Sequence, residues 1–171
     1  MGAVASYMKG VNEPDPVTGL TPKEKCLVTS SWNLVKKDLT GNGVELFKIF
    51  FRNKPEYQNY FPFRDIPMEE LPKHPQLKAH AITVMYAVTS IIDNLDNNDV
   101  LINLLQKTAI SHRRRKIPAE AFDVLQKTIL ELLQKGLGSK LSKEGLEAWD
   151  KTLTVAFKVV KDTLTTTENE S

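Results

Sequence analysis

The sequence contains a single cysteine, Cys26, and has no apolar run long enough to cross a membrane. One cysteine excludes an intramolecular disulfide and is typical of proteins in a reducing compartment. A transmembrane helix needs roughly 20 consecutive, mostly apolar residues, so that class of protein is excluded. The residues from Met1 to Gly19 also lack the apolar segment of a secretory signal. We therefore expect a cytoplasmic protein.

The net charge is also small, because 23 lysine and arginine residues nearly balance 21 acidic residues to give +2. The one dense basic run, residues 113–116, is too short for a nucleic-acid patch, and acidic residues are spread through the other segments. No alternating apolar pattern predicts a β-strand. These observations argue against a nucleic-acid-binding protein and favour an all-α domain.

The two ends of the chain differ in composition from the rest. Pro14, Pro16 and Gly19 stand close together, which predicts that residues 1–20 form a flexible arm. The opening Met1-Gly-Ala-Val-Ala-Ser6 matches the pattern for N-myristoylation of Gly2. A single acyl chain gives only marginal attachment, so we expect at most weak membrane contact. The polar residues 165–171 predict a disordered tail, which leaves a domain of residues 21–164.

Within that domain, apolar residues recur at helical spacing in successive segments. Thr21 and Glu24 form a capping-box pattern that predicts the start of a helix, and the glycines at 41 and 43 predict its end. Residues 44–52 predict a second helix that is buried on two sides. Further helix starts, turns and ends are predicted at Pro55, in the loop 64–76, at 93–98, at Pro118, at 136–138 and at Ser142. The pattern predicts about seven or eight helices.

Two histidines occupy inward-facing positions on two of these helices. His80 shares an apolar face with Ala81 and Val84, and His112 lies in a last helical turn, before the corner at Pro118. Each has an ordinary structural explanation, as a hydrogen-bonded core residue or as a cation beside a helix C-terminus. The pair also lacks the spacing of a zinc motif. The alternative is a metal, or a flat metal cofactor, held between the two helices.

Several landmarks around these histidines occur in a fixed order: Trp32, Pro55, Phe61, His80 with Val84, Ser111-His112, Ile117-Pro118, Phe122 and Trp149. In this order and spacing, the chain from Leu20 to Leu164 resembles the globin family, and most of all intracellular insect globins. The resemblance implies a globin fold of about seven or eight helices around a haem pocket. It implies haem b held without a covalent link, since no Cys-x-x-Cys-His motif is present.

The resemblance also implies roles for the residues around such a haem. His112 would be the proximal iron ligand, and His80 would donate a hydrogen bond to bound O2 or bind the iron as a sixth ligand. Ser111 would accept a hydrogen bond from the His112 ring, or would simply be a solvated serine. The apolar walls would come from Phe47, Phe61, Val84, Val88, Ile117, Phe122 and Leu125. The propionates would meet Arg115 or Lys116, with Arg64 or Lys78 across the slot.

One position departs from the family pattern. Thr108 stands one turn before His112, where globins commonly place an aliphatic residue against the haem. This departure predicts a more polar edge of the pocket, or a shifted helix register.

A globin of this kind binds O2, CO and NO reversibly, so the resemblance implies oxygen storage or delivery rather than an enzyme. Two alternatives stay open: a haem redox enzyme similar to an NO dioxygenase, and a gas or redox sensor. A homodimer is compatible with each of these functions.

Overall fold

The computed structural model describes residues 13–166, which form six α-helices and no β-strand. The helices are α1 (Pro22–Val35), α2 (Leu39–Asn53), α3 (Pro75–Asp93), α4 (Asn98–Arg113), α5 (Glu120–Leu137) and α6 (Lys143–Thr166). Four short 3₁₀ segments lie at Lys36–Asp38, Pro55–Tyr60, Leu71–Lys73 and Gly138–Lys140. The prediction of an all-α fold is confirmed. The number of α-helices in this range is slightly below the prediction, because the segments after Pro55 and in the 64–76 loop are 3₁₀ turns.

Helix α1 begins as its sequence predicts. The Thr21 hydroxyl accepts a hydrogen bond from the Glu24 N–H at 3.2 Å, and the Glu24 carboxylate accepts one from the Thr21 N–H at 2.7 Å. This reciprocal pair satisfies two backbone donors that a helix start otherwise leaves free.

The predicted break at residues 41–43 was wrong. The chain breaks earlier, at Lys36–Asp38, and the Asp38 carboxylate caps α2 by accepting a hydrogen bond from the Gly41 N–H at 2.8 Å. Gly43 is buried inside α2, where a Cβ atom would lie 2.9 Å from Met85 Cγ and 3.1 Å from the carbonyl oxygen of Ala81. The glycine therefore lets the backbones of α2 and α3 approach each other, and it does not end a helix.

Residues 15–20, which the sequence placed in a flexible arm, pack against the helices. Thr18 and Leu20 are buried, and Gly19 adopts a φ of +65°, which a glycine tolerates without strain. The Asp15 carboxylate accepts hydrogen bonds from the N–H groups of Val17 and Thr18, from Lys25 Nζ at 3.1 Å and from Asn98 Nδ2 at 3.3 Å. Gly2 and the rest of the myristoylation motif lie outside the described residues, as do residues 167–171.

The core lies between α6 on one side and the α2–α3 pair on the other. Trp32 on α1 and Trp149 on α6 are fully buried with ring centroids 5.6 Å apart, and each indole finds a polar partner. Trp32 Nε1 donates to the Thr89 hydroxyl at 3.0 Å, and Trp149 Nε1 donates to the Ser31 hydroxyl at 2.8 Å. Helices α3 and α4 contact each other little, and this separation leaves space for a cavity between them. None of the helices in residues 13–166 is long and apolar enough to span a bilayer.

Candidate functional site

A cavity of about 570 Å³ lies between α3 and α4 and is closed by α2, the Pro55–Tyr60 segment and α5. Its volume falls in the range of roughly 300–1,000 Å³ that cofactor and ligand sites occupy. Both histidines line it, with a mostly apolar set of neighbours: Phe47, Phe50, Tyr57, Tyr60, Phe61, Pro62, Thr83, Val84, Ala87, Leu104, Lys107, Thr108, Ser111, Arg115, Ile117, Ala121, Phe122 and Leu125.

His80 enters the cavity from α3 between two aromatic rings. The centroid of its ring lies 5.1 Å from that of Phe47 and 5.0 Å from that of Phe61, both in edge-on orientation. Burial lowers the pKa of His80 to about 4, and electrostatic interactions with His112 and Arg115 act in the same direction. The His80 ring is therefore neutral near pH 7. Within residues 13–166 it makes no hydrogen bond, so its nitrogen atoms are available to a ligand.

His112 enters the same cavity from the last turn of α4. Its Nδ1 lies 2.8 Å from the carbonyl oxygen of Thr108, which can only accept a hydrogen bond, so the proton of the neutral ring is on Nδ1. Burial lowers the pKa of His112, the hydrogen bond to Thr108 opposes this shift, and the charge of Arg115 adds to it. Nε2 is left without a proton, in the state that binds a metal. The Phe122 ring packs against the imidazole with centroids 5.2 Å apart.

The predicted hydrogen bond from the His112 ring to Ser111 was wrong. The Ser111 hydroxyl accepts a hydrogen bond from the Arg115 guanidinium at 2.7 Å, and the Ser111 carbonyl oxygen accepts another at 2.8 Å. The imidazole instead bonds to the backbone one turn earlier, because a residue four positions back lies directly beneath it on a helix.

Two histidines alone do not make a typical site for a bare metal ion. No group of three or more His, Cys, Asp or Glu side chains in residues 13–166 could hold one. A metal between His80 and His112 must therefore bring its other ligands with it, as the iron of a porphyrin does. The apolar walls, the unprotonated Nε2 of His112 and the cations of Lys107 and Arg115 at the edge of the cavity all fit haem.

The structure brings ten of the predicted site residues to this cavity: Phe47, Phe61, His80, Val84, Ser111, His112, Arg115, Ile117, Phe122 and Leu125. Four others lie elsewhere. Arg64 is exposed beside Asp65, Lys78 and Lys116 are exposed, and Val88 is buried in the core.

Sequence reasoning missed several lining residues. Thr83 and Ala87 follow His80 by three and seven residues, and Leu104 precedes His112 by eight, so helical spacing from each histidine could have identified them. Lys107, Tyr57 and Tyr60 carried no comparable signal.

The chain is similar to known proteins in sequence and in fold. A family model described as Globin matches residues 44–160. Globin-1 of Anadara inaequivalvis is 34% identical, covering 82% of this chain and 94% of that protein. The globin of Nerita albicilla is 30% identical, covering 85% of this chain and 94% of that protein. A solved structure of the Drosophila melanogaster hexa-coordinate hemoglobin superposes with a TM-score of 0.77 at 26% identity, covering 82% of this chain and 93% of that chain.

Proposed function

The chain belongs to the globin family, and we propose that it holds haem b between His112 and His80 and binds O2 and other diatomic gases reversibly. Globins bind haem and gases such as O2, so membership of the family supports the binding of haem and of a gas. The assignment of His112 and His80 to the two sides of the haem is supported by the cavity that they share. Two neutral histidines from separate helices line one apolar space, and one of them has its Nε2 free of a proton.

We propose His112 as the proximal ligand. Its hydrogen bond to the Thr108 carbonyl oxygen fixes both the ring orientation and the tautomer, and it makes Nε2 a stronger donor toward a metal. When bound, haem would supply an iron that can bind both an imidazole and a diatomic gas. The sequence has no Cys-x-x-Cys-His motif, so haem would be held by this ligand and by packing.

Phe47 and Phe61 would keep the distal side of the cavity apolar and narrow. Their ring centroids lie 5.9 Å apart, and both rings contact His80. Water is excluded from such a space because it finds few polar partners there. On the other side, Phe122 and Ile117 present apolar surface that would pack on a porphyrin at no polar cost.

Arg115 and Lys107 are the cations that line the cavity edge, and we assign the haem propionates to them. Arg115 is held in place by its two hydrogen bonds to Ser111, so its remaining donors are pre-oriented. Lys107 replaces the earlier candidates Arg64, Lys78 and Lys116, which lie away from the cavity lining.

In the gas-free ferrous state, we propose that His80 itself binds the iron as a sixth ligand. The similar Drosophila melanogaster hemoglobin is described as hexa-coordinate, and the match is consistent with the resemblance to insect globins. In this chain the His80 ring has no hydrogen-bond partner among the described residues, so no bond has to break when the ring moves. A gas would then compete with His80, and apparent affinity would fall with the fraction of open sites.

We favour gas storage or delivery over catalysis. In haem proteins, the polarity and hydrogen-bond donors of the distal pocket decide between reversible O2 binding and activation of O2. Here the neighbours of the His80 ring are Phe47 and Phe61.

The test is spectroscopic titration of the purified protein with haem, followed by spectra of the ferrous state without gas, with CO and with O2. We expect one haem per chain and gas spectra that revert when the gas is removed. A chain that takes up haem but is irreversibly oxidised by O2 at the first exposure would contradict a storage or delivery function.

A further inference from the structure

Gln58, in the 3₁₀ segment that follows α2, carries a buried side-chain amide that does not line the haem cavity. Only 8% of the residue is exposed. Burying an amide costs free energy unless its N–H groups find acceptors. The Nε2 atom donates to three backbone carbonyl oxygens, that of Ile66 at 2.8 Å, that of Phe63 at 3.1 Å and that of Arg64 at 3.3 Å. An amide nitrogen has two hydrogens, so the three carbonyl groups share them.

These carbonyl groups belong to the loop of residues 61–66, which contains neither an α-helix nor a strand. The backbone of Gln58 holds the other end of the same loop, because its carbonyl oxygen accepts a hydrogen bond from the Phe61 N–H at 3.0 Å. Within the loop, Arg64 N–H donates to the Phe61 carbonyl oxygen at 3.1 Å, and Ile66 N–H donates to that of Phe63 at 3.2 Å. One residue therefore fastens both ends of the loop.

The loop carries one wall of the distal side of the cavity. Phe61 lines the cavity, and the centroid of its ring lies 5.0 Å from that of His80. The same ring stacks on Phe63, with centroids 5.0 Å apart and planes inclined by 19°. Phe63 is buried, and Gln58 binds its carbonyl oxygen. The position of the Phe61 ring therefore depends on the hydrogen bonds of Gln58.

The two aromatic neighbours of His80 differ in how they are held. Phe47 is buried within α2, so the packing of that helix fixes its position. Phe61 lies on the loop, so it can move when the loop is released. A gas that replaces His80 at the iron requires the imidazole to move back into space that these two rings border. The room for this movement comes from Phe61.

We propose that Gln58 is a positioning residue. By holding the loop 61–66, it keeps Phe61 against His80 and slows the replacement of His80 by a gas. The effect on gas binding rests on the proposed function of His80 as a sixth ligand, whereas the placement of Phe61 rests on the contacts of the loop alone.

Two substitutions of Gln58 remove the donor in different ways. Gln58→Met replaces the amide by an apolar group of similar length, and Gln58→Glu replaces it by a carboxylate, which has no donor when ionised. The matched controls are Asn42→Leu and Asn42→Asp. Asn42 Nδ2 also donates to a backbone carbonyl oxygen, that of Val35 at 3.0 Å, and Asn42 does not line the cavity. All four variants are made with and without His80→Leu.

The first measurement is the rate of CO binding to the haem-loaded ferrous protein at saturating CO, where departure of His80 limits the rate. Both Gln58 variants should bind CO roughly three- to tenfold faster than the wild type, a range that corresponds to about one net hydrogen bond. The Asn42 variants should match the wild type. With His80→Leu, the Gln58 substitutions should have no further effect, because the internal ligand is absent. Equal acceleration with and without His80, or equal rates in the Gln58 and Asn42 variants, would overturn the proposal.

The second measurement is the NMR contact between the Phe61 and His80 rings in the haem-free full chain. We expect this contact in the wild type and in both Asn42 variants, and its loss in both Gln58 variants. An unchanged contact in the Gln58 variants would overturn the inference, whether or not the protein binds haem as proposed. A five-coordinate ferrous spectrum of the wild type would instead show that the proposed sixth ligand is wrong, and the predicted effect on CO binding would fail with it.

Discussion

The Nδ1 atom of His112 lies 2.8 Å from the carbonyl oxygen of Thr108, one helical turn earlier in α4. The Thr108 hydroxyl in turn donates a hydrogen bond to the carbonyl oxygen of Leu104 at 2.9 Å, so it has a hydrogen-bond partner within the helix. The departure from the family pattern at this position is therefore mild. Thr108 contributes its backbone to the orientation of His112, and its side chain does not need a partner inside the cavity.

Replacing His112 by glycine should abolish stable haem binding, because the proposed bond to the iron is lost. Added imidazole should restore part of the haem uptake by filling the gap. Ser111→Ala is the matched control and should retain haem, since the ring bonds to Thr108 and not to Ser111. Absorbance of the purified proteins measures this. If His112→Gly kept haem with an unchanged spectrum, the proximal assignment would be wrong.

His80→Leu tests the sixth coordination position. The deoxygenated ferrous wild type should show sharp, split low-spin bands, and the variant should show one broad five-coordinate band. The variant should also bind CO faster, because no internal ligand competes with the gas. A broad band in both proteins means that His80 acts only on bound gas.

Two deletions of different length at the N-terminus should differ in their effect on stability. Deletion of residues 1–12 should leave haem content and stability nearly unchanged, because the side-chain hydrogen bonds that the described residues 13–20 make with the helices involve Asp15. Deletion of residues 1–18 also removes the Asp15 carboxylate, and hydrogen bonds to charged groups are worth about 1.5–3 kcal/mol. We expect a loss of that order in the free energy of unfolding, measured by urea denaturation. Asp15→Ala should reproduce most of it, and equal stability of the two deletions would contradict the role of Asp15.

The crossing of α2 and α3 should be sensitive to added side-chain volume at Gly43. Gly43→Val places side-chain atoms against Met85 and the Ala81 carbonyl, and such overpacking costs about 1–3 kcal/mol. Gly136→Val in α5 is the control, because no atom lies within 4 Å of a Cβ built there. The control should change the free energy of unfolding by about 0.5 kcal/mol or less. Similar free energies of unfolding in both variants would contradict the close approach at Gly43, because valine has no lower helix propensity than glycine.

Acid should destabilise the haem-free protein through His80. Its pKa is about 4 in the folded state, against 6.5 for an unperturbed histidine, so between these values the unfolded chain binds more protons. Stability is therefore complete above pH 6.5 and falls as the pH decreases toward 4, by up to about 3 kcal/mol. His80→Leu should flatten this part of the pH profile, measured by urea denaturation of the haem-free protein. An unchanged slope would show that His80 is already protonated or exposed.

The presence of each helix could be predicted from the local sequence pattern. Some helix boundaries could not, because they depend on contacts between helices. The capping box at Thr21 acts through neighbours in sequence, and it was predicted correctly. The glycines at 41 and 43 are typical of a helix end. Gly43 is instead needed because Met85 and Ala81 on another helix leave no room for a side chain at this position. Thr18 and Leu20 lie just after two prolines, and this composition led to the prediction of a flexible arm. Their burial depends on parts of the chain that are distant in sequence. Local sequence carries no signal for either contact.

The candidate site divides in the same way. The histidines and the aromatic residues stand at landmark positions, and the structure places them around one cavity. The basic residues were harder to place, since long side chains reach in directions that spacing does not determine. Lys116 adopts a φ of +55° at the corner after α4, and this turn carries it away from the cavity lining. A lysine has no sequence signal for such a conformation.

The paired indoles of Trp32 and Trp149 give the protein an internal optical reporter. They are the two tryptophans of the sequence, both are fully buried, and they meet where α1 packs on α6. Intrinsic fluorescence therefore reads one junction, and its shift to longer wavelength marks the moment when water enters between these two helices. Movements of α4 that leave this junction closed will not expose the indoles to water, so unfolding of the haem-free protein can be followed at one defined junction.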